Sequence, residues 1–99
     1  MDILVNYRDF PRTDALDANI RRQVSKVLDR FSNRLTRVEV HIGDENGPKG
    51  GKDMRCLIEA RPAGEQPVSA ESQSTDAYKA ARSAVAKLRR VLSRRFDRR

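Results

Sequence analysis

Cysteine, histidine and tryptophan are almost missing from this chain. Its 99 residues include one Cys, one His and no Trp, so neither a disulfide framework nor a Cys/His zinc site can form within one chain. The sequence has no run of about twenty apolar residues that could cross a bilayer, and its partly acidic opening, MDILVNYRDF, does not have the pattern of a signal peptide. These absences predict a cytoplasmic protein with no membrane segment, no metal site and no cofactor.

Residues that could carry catalysis are scarce as well. His41 with Asp44 and Glu45 suggests acid/base or metal chemistry, but no nucleophile or second base accompanies them. A His on the polar face of a strand is more often plain surface, and Cys56 faces the predicted core, where a thiol behaves as a small hydrophobe. We therefore expect no catalytic residue, no small-molecule substrate and no enzyme activity.

The glycine-rich segment 43–53 matches two phosphate-binding motifs only in part. Residues 47–50 read GPKG, the literal GxxG of a KH domain, but a KH loop joins two helices and this segment joins two predicted strands. A Walker loop fails because Asp53, rather than Ser or Thr, follows Lys52 and a strand follows instead of a helix. The segment is interpreted as a flexible loop.

Positive charge is what the chain has in excess, and it is concentrated at one end. Residues 76–99 contain nine Lys and Arg against two Asp, a net charge of +7, whereas residues 1–75 contain twelve basic and twelve acidic residues. Residues 75–99 lack Gly and Pro, and they predict one helix of about five to six turns. One side of this helix is an apolar stripe of Ala77, Ala81, Ala84, Leu88, Val91 and Leu92. The opposite side carries Lys79, Arg82, Arg90 and Arg94.

The remaining elements follow from apolar periodicity. Alternating patterns predict strands near residues 3–7, 38–42, 54–60 and 68–72, and a helical stripe over residues 16–31 predicts a first helix that Thr13 caps and that runs to about Asn33. Ser74 or Thr75 is expected to cap the final helix. The first β-α-β unit should be parallel and the later pairings antiparallel.

The predicted fold is an α/β two-layer sandwich in the order β-α-β-β-β-α. Each strand has one apolar and one polar face, so both helices must cover the same face of a four-stranded mixed sheet. Residues 1–99 are expected to form a single domain, similar in layout to a double-stranded RNA-binding domain.

The cations of the final helix favour a phosphate-binding surface. A charge-rich helix is often only a solvated face. Here, however, the acids that would form ion pairs four residues apart are missing, and the segregation of charge exceeds what solubility requires. The two helices together are expected to present Arg21, Arg22, Lys26, Lys79, Arg82 and Arg90.

Aromatic residues give little sign of base recognition. Tyr78 lies at the edge of the apolar stripe, where a base could stack on it, but we expect its ring to pack and its hydroxyl to face water. No aromatic residue lies on the predicted open sheet face, so the stacking platform of an RRM is missing.

Three stretches of the sequence carry a resemblance to a known family. They are TDALDANIRRQVSKVLDRFSNRLTRVEVHI, the loop DENGPKGGKDMRC and STDAYKAARSAVAKLRRVLSRR. The most specific pieces are Asp76-x-Tyr78-x-Ala80, Leu88-Arg89-Arg90 and Thr13-x-x-Leu16. They resemble the ribosome hibernation-promoting factor and ribosome-associated inhibitor A family, formerly called sigma-54 modulation proteins. The resemblance covers nearly the whole chain and implies the same β-α-β-β-β-α fold.

The resemblance also implies a function and a set of binding residues. Family members are stress or stationary-phase proteins that bind small-subunit rRNA in the mRNA and tRNA channel and inhibit translation. Carried over by position, rRNA binding falls to Arg22 and Lys26 of the first helix and to Lys79, Arg82, Arg89 and Arg90 of the second. The resemblance is to the short form, without a C-terminal dimerisation domain, so a monomer is expected.

Two other functions remain open at this stage. From Asp14 onward the predicted order α-β-β-β-α is that of a double-stranded RNA-binding domain, which would bind duplexes through shape and phosphates. Alternatively, the basic face could dock an acidic protein partner, as a regulator would.

Overall fold

The computed structural model describes residues 1–46 and 53–97, and these residues form the predicted elements in the predicted order. In chain order they are β1 (Asp2–Arg8), α1 (Asp14–Val27), a 3-10 helix (Asp29–Arg34), β2 (Leu35–Asp44), β3 (Met54–Pro62), β4 (Val68–Ser74) and α2 (Ala77–Asp97). The glycine motif at 47–50 lies outside the described residues.

The four strands form one mixed sheet in the order β1-β2-β3-β4. β1 pairs in parallel with β2, and the β2–β3 and β3–β4 pairs are antiparallel, which confirms the predicted pairing. Arg8 lies opposite Gly43 at the end of the parallel pair. A side chain at position 43 would place its Cβ 2.9 Å from the carbonyl oxygen of Arg8, so this approach of β1 to β2 requires glycine.

Both helices cover one face of this sheet and enclose the core. Along β3 the exposure of successive side chains alternates, so Cys56 and Ile58 are fully buried beneath the helices while Arg55 faces solvent on the other side. Leu88 and Leu92 of α2 are completely buried, which confirms the predicted apolar stripe of that helix. The stripe is wider than predicted, since it also includes Ala80, Val85 and Phe96. Burial raises the pKa of the Cys56 thiol to about 12, so this thiol is a neutral core group, as expected.

A buried carboxylate fixes the start of α1 to β1. Asp17 is only 6% exposed, and it accepts hydrogen bonds from the Arg21 Nε atom at 2.8 Å and from the Tyr7 hydroxyl at 2.9 Å. Arg12 adds an ion pair at 3.3 Å. These donors, Arg21 foremost, lower the pKa of the Asp17 carboxyl to about 2, although burial alone would raise it. The cluster holds the ionised carboxylate between helix and sheet.

The first helix is shorter than predicted. The α-helix ends at Val27, and a 3-10 helix follows over Asp29–Arg34, so the prediction of one helix to about Asn33 was wrong. The helix is narrower here because its hydrogen bonds join residues three apart instead of four: the Phe31 N–H donates to the carbonyl of Leu28 at 3.0 Å. Phe31 still points into the core, where its ring centroid lies 5.5 Å from that of Phe96.

The cap of α2 also differs from the prediction. Asp76, rather than Ser74 or Thr75, caps the helix: one of its carboxylate oxygens accepts hydrogen bonds from the N–H groups of Tyr78 at 2.8 Å and Lys79 at 3.4 Å. A carboxylate is favoured here because it also faces the positive end of the helix dipole. Ser74 contributes indirectly, since its hydroxyl accepts a hydrogen bond from the Asp76 N–H at 3.2 Å.

Candidate nucleic-acid interface

The two helices lie side by side and run in the same direction. β1 and β4 run in the same direction in the sheet. α1 follows β1 and α2 follows β4, and each helix runs antiparallel to the strand before it, so the two helices are parallel to one another. The 3-10 helix that follows α1 is joined to the C-terminal end of α2 by an ion pair of 2.9 Å between Arg30 and Asp97. The guanidinium of Arg34, 3.7 Å from the centre of the Phe96 ring, adds a cation–π contact at the same end. The outer sides of the helices therefore form one continuous surface with a seam between them.

Arg21, which was predicted to belong to this surface, instead binds Asp17 and the edge strand β1. The Arg21 guanidinium donates to Asp17 and, through Nη1, to the carbonyl oxygen of Ile3 in β1 at 2.9 Å. Its helix flank therefore faces the sheet edge, and the prediction that Arg21 belongs to the broad helical surface was wrong. The sequence carried a signal, because Asp17 and Arg21 are four residues apart on one helix.

Arg22 and Lys26 lie on the other flank of α1. At about 100° per residue, Arg22 is rotated away from the β1 side that Arg21 occupies, and Lys26 is rotated a further ~40° toward α2. Both side chains belong to exposed residues. The sequence prediction that these two cations face solvent is confirmed.

The cations of α2 divide between its outer side and the seam. Lys87 donates to the carbonyl oxygen of Glu71 at 3.2 Å, which identifies the flank of the helix that faces edge strand β4. Arg82 and Arg89 lie on the opposite flank, toward α1, because they are about 140–160° around the helix from Lys87. Lys79 and Arg90 point between the two flanks, straight into solvent, and all four residues are exposed.

Most of the exposed cations on the outer sides of α1 and α2 lack ionic partners. Within residues 1–46 and 53–97, seven exposed cations of these helices have neither an ion pair nor a side-chain hydrogen bond: Arg22, Lys26, Lys79, Arg82, Arg89, Arg90 and Arg94. The first six are the residues predicted to bind rRNA, whereas Arg94 was predicted only to lie on the polar side of the helix. Arg95 differs, because it pairs with Glu65 at 3.3 Å.

The open face of the sheet is arranged in the opposite way. Arg61 pairs with Glu39 at 3.1 Å and with Glu59 at 3.0 Å. Arg55 pairs with Glu71 on the neighbouring strand and with Glu45 at 3.6 Å. The sheet-face cations are thus neutralised across strands, whereas those of the helices keep their full charge for an external anion.

Tyr78 is more exposed than expected. Its residue remains 41% accessible, and no partner of its hydroxyl is found in the described part of the chain. Tyr78 lines an open cleft between the start of α2 and the loop that follows β1, together with Phe10, Pro11 and Met54. The expectation that Tyr78 packs is met only in part, since the residue lines this cleft and stays exposed.

The described residues offer no sign of metal chemistry or of a membrane segment. Across residues 1–46 and 53–97, no group of three or more His, Cys, Asp or Glu side chains is arranged to hold a metal ion. In the same ranges, neither helix is long and apolar enough to cross a membrane.

The fold and the surface define a class: a small α/β domain whose two parallel helices present unpaired cations on one face, with an ion-paired sheet on the other. The chain belongs to the sigma 54 modulation protein / S30EA ribosomal protein family, whose model matches residues 3–99. This is the hibernation-factor family that the sequence resembles, so the resemblance is confirmed. Membership indicates a ribosome-associated protein from a family of binding proteins.

Two solved structures show the same fold. The N-terminal domain of Thermus thermophilus Protein Y aligns with a TM-score of 0.77 at 24% identity, covering 95% of this chain and 98% of that one. A ribosomal subunit interface protein from Coxiella burnetii aligns with a TM-score of 0.75 at 18% identity, covering 96% of this chain and 97% of that one. No curated protein sequence matches the chain.

Proposed function

We propose that this chain is a non-enzymatic translation inhibitor of the cytoplasm that acts as a hibernation factor. It binds small-subunit rRNA in the mRNA and tRNA channel under stress or in stationary phase. The residues that bind rRNA are Arg22, Lys26, Lys79, Arg82, Arg89 and Arg90.

The observation that carries this proposal is the contrast between the two faces of the domain. On the sheet face Arg55 and Arg61 are held by glutamates, whereas the six cations on the helices are without ionic partners among the described residues. Unpaired cations on one surface repel each other and cost stability, and an external polyanion relieves that repulsion. An RNA backbone supplies that charge, and its binding gains free energy from the release of counterions.

The chemistry of the six residues suits phosphates held in a fixed shape. Four of them are Arg, whose planar guanidinium matches the oxygens of a phosphate in a two-point contact, and Lys26 and Lys79 would each act as a point charge. Four of them lie on α2, which is anchored at both ends, by Asp76 at its start and by Arg30 and Asp97 at its end. Rigid presentation lowers the entropic cost of binding a structured RNA.

Sedimentation with purified ribosomal subunits tests the proposal directly. The protein is expected to sediment with small subunits in a sucrose gradient, to be displaced by mRNA and initiator tRNA, and to inhibit cell-free translation. Failure to sediment with small subunits at moderate salt would contradict the proposal. Binding that survives complete removal of RNA by nuclease would instead indicate an acidic protein partner.

A general duplex RNA binder is the second candidate. From Asp14 to Asp97 the structure has the α-β-β-β-α order with both helices on one face, which is also the layout of a double-stranded RNA-binding domain. Competition separates the two functions. A hibernation factor should dissociate from small subunits only at a large excess of duplex RNA. A general duplex binder should instead be displaced from the subunits in proportion to the duplex added.

A further inference from the structure

The cleft beside Tyr78 is a mainly apolar opening that the six cations do not explain. Phe10 and Pro11 from the loop after β1 form one wall, and Tyr78 at the start of α2 forms the other. Met54 and Leu16, both nearly buried, form part of the floor. The cleft holds about 760 Å³, which is ample for one flat aromatic ring.

The charged residues that line the cleft are both acidic. They are Asp44 and Asp76, and Thr13 and Thr75 add hydroxyl groups to the lining. One oxygen of each carboxylate accepts backbone N–H groups, from Asn46 and Asp53 for Asp44 and from Tyr78 and Lys79 for Asp76, which leaves the second oxygen of each as an acceptor for a ligand. Two carboxylates repel other anions, so a phosphate is disfavoured in the cleft itself. A nucleobase is suited to it, because its faces are apolar and the edges of adenine, cytosine and guanine carry amino donors.

The position of the cleft connects it with the basic surface. Lys79 directly follows Tyr78, and Arg82 lies one turn further along the same helix, on the flank toward α1. An RNA strand whose phosphates contact Lys79 and Arg82 would thus bring an adjacent base to the mouth of the cleft. A basic protein segment is disfavoured at this place, because the same two cations repel it.

From these observations, and resting on the rRNA binding proposed above, we infer that the cleft receives one unpaired nucleobase of the bound RNA, which stacks on the ring of Tyr78. The domain would then bind an RNA surface by phosphates and also require an unpaired nucleotide at one position. This contact adds a preference for single-stranded or bulged sites that a phosphate-binding surface alone does not have.

The first experiment measures binding to purified small subunits with variants of Tyr78. Stacking on one base contributes enough that Tyr78→Ala should weaken binding about 5- to 140-fold, whereas Tyr78→Phe should bind like the original protein. The slope of log affinity against log salt should be unchanged in both variants, since no phosphate contact is lost. Leu4→Ala is the matched control, because Leu4 is similarly exposed, at 43%, but lies on the open sheet face; it should have no effect.

The second experiment identifies the base as the partner. The probes are an RNA hairpin with a single bulged adenosine and the same hairpin with an abasic nucleotide in the bulge. Tyr78→Ala should weaken binding to the first hairpin and leave binding to the second unchanged. In a double-mutant cycle, the loss of the Tyr78 ring and the loss of the bulged base should therefore be coupled, as expected for two groups in contact.

The outcomes distinguish this inference from the proposed function. If subunit binding depends on the helix cations but is equal for Tyr78, Tyr78→Ala and Tyr78→Phe, the stacked base is refuted and rRNA binding stands. Equal losses on the bulged and abasic hairpins would refute it too, because the ring would then matter only for packing. If Tyr78→Ala weakens binding to subunits but changes binding to neither hairpin, a protein segment occupies the cleft, and the inference of a stacked base is refuted. If the original protein does not bind subunits at all, both proposals fail.

Discussion

Removing three cations from α2 should weaken binding to RNA without weakening the fold. The change is Lys79→Gln, Arg82→Gln and Arg90→Gln together, at three exposed positions that have no ionic partner in the described ranges. Since no internal contact is lost and like-charge repulsion is relieved, the free energy of unfolding should change by less than about 0.5 kcal/mol. A thermal melt checks this part.

The expected loss of affinity follows from the number of phosphates released. If each of the three side chains contacts one phosphate, the slope of log affinity against log salt should shrink by about 2 to 3, since each contact contributes roughly 0.7 to 0.9. Between about 50 and 200 mM salt the original protein should then lose about 20- to 40-fold more affinity for small subunits than the variant does. Inhibition of cell-free translation should weaken in parallel.

A matched variant on the other face controls for net charge. Arg8→Gln, Arg55→Gln and Arg61→Gln remove the same charge from the open sheet face, where Arg55 and Arg61 are already paired with glutamates. This control should keep the salt slope of the original protein. Equal reductions of the slope in the two triple variants would refute the helical surface as the binding site and leave only nonspecific attraction.

Three further predictions concern stability and assembly. Leu88→Ala should lower the free energy of unfolding by about 2 to 5 kcal/mol, because Leu88 is fully buried at the centre of the α2 stripe; an unchanged melt would contradict the packing. Because the pKa of Asp17 is lowered from 3.8 to about 2 in the folded state, its contribution is complete above about pH 5 and is lost as the pH falls through 2. Urea unfolding between about pH 5 and pH 1 should therefore show a loss of about 2.5 kcal/mol that Asp17→Asn lacks, and identical pH profiles would refute the cluster. In solution the chain should be a monomer by analytical ultracentrifugation and should not join two ribosomes unaided; stable ribosome dimers formed with purified protein alone would disprove this.

Periodicity was enough to predict the layers of the fold. Alternation places Cys56 and Ile58 on one face of β3 and Arg55 on the other, and this needs no knowledge of the partner strand. The same reasoning could not separate the 3-10 helix at Asp29–Arg34 from the end of α1. Phe31 follows Leu28 by three residues, a spacing that turns both inward in either kind of helix.

The candidate site was predictable only where it depends on one helix. The exposure of Arg22, Lys26 and the cations of α2 follows from the position of each residue around its own helix. Arg21 was misplaced although its spacing to Asp17 on the same helix was visible in the sequence; its second partner, the carbonyl oxygen of Ile3, belongs to a distant segment and has no sequence signature. The cleft at Tyr78 was missed for the same reason: its walls come from the loop after β1 and from α2, and only the packing of the layers brings them together.

Two cations of the helices reach the unpaired edges of the sheet. Arg21 donates to the carbonyl of Ile3 in β1, and Lys87 donates to the carbonyl of Glu71 in β4. An open strand edge invites the strand of another molecule, which is how many sheet proteins aggregate. Here, at one point on each edge, the acceptor that such a strand would use is already occupied by a charged side chain, and a charge at an edge is costly to bury against a second sheet. Pairing with a strand of a second molecule is therefore disfavoured at one point on each edge of the sheet, which lowers the tendency of the domain to aggregate through these edges.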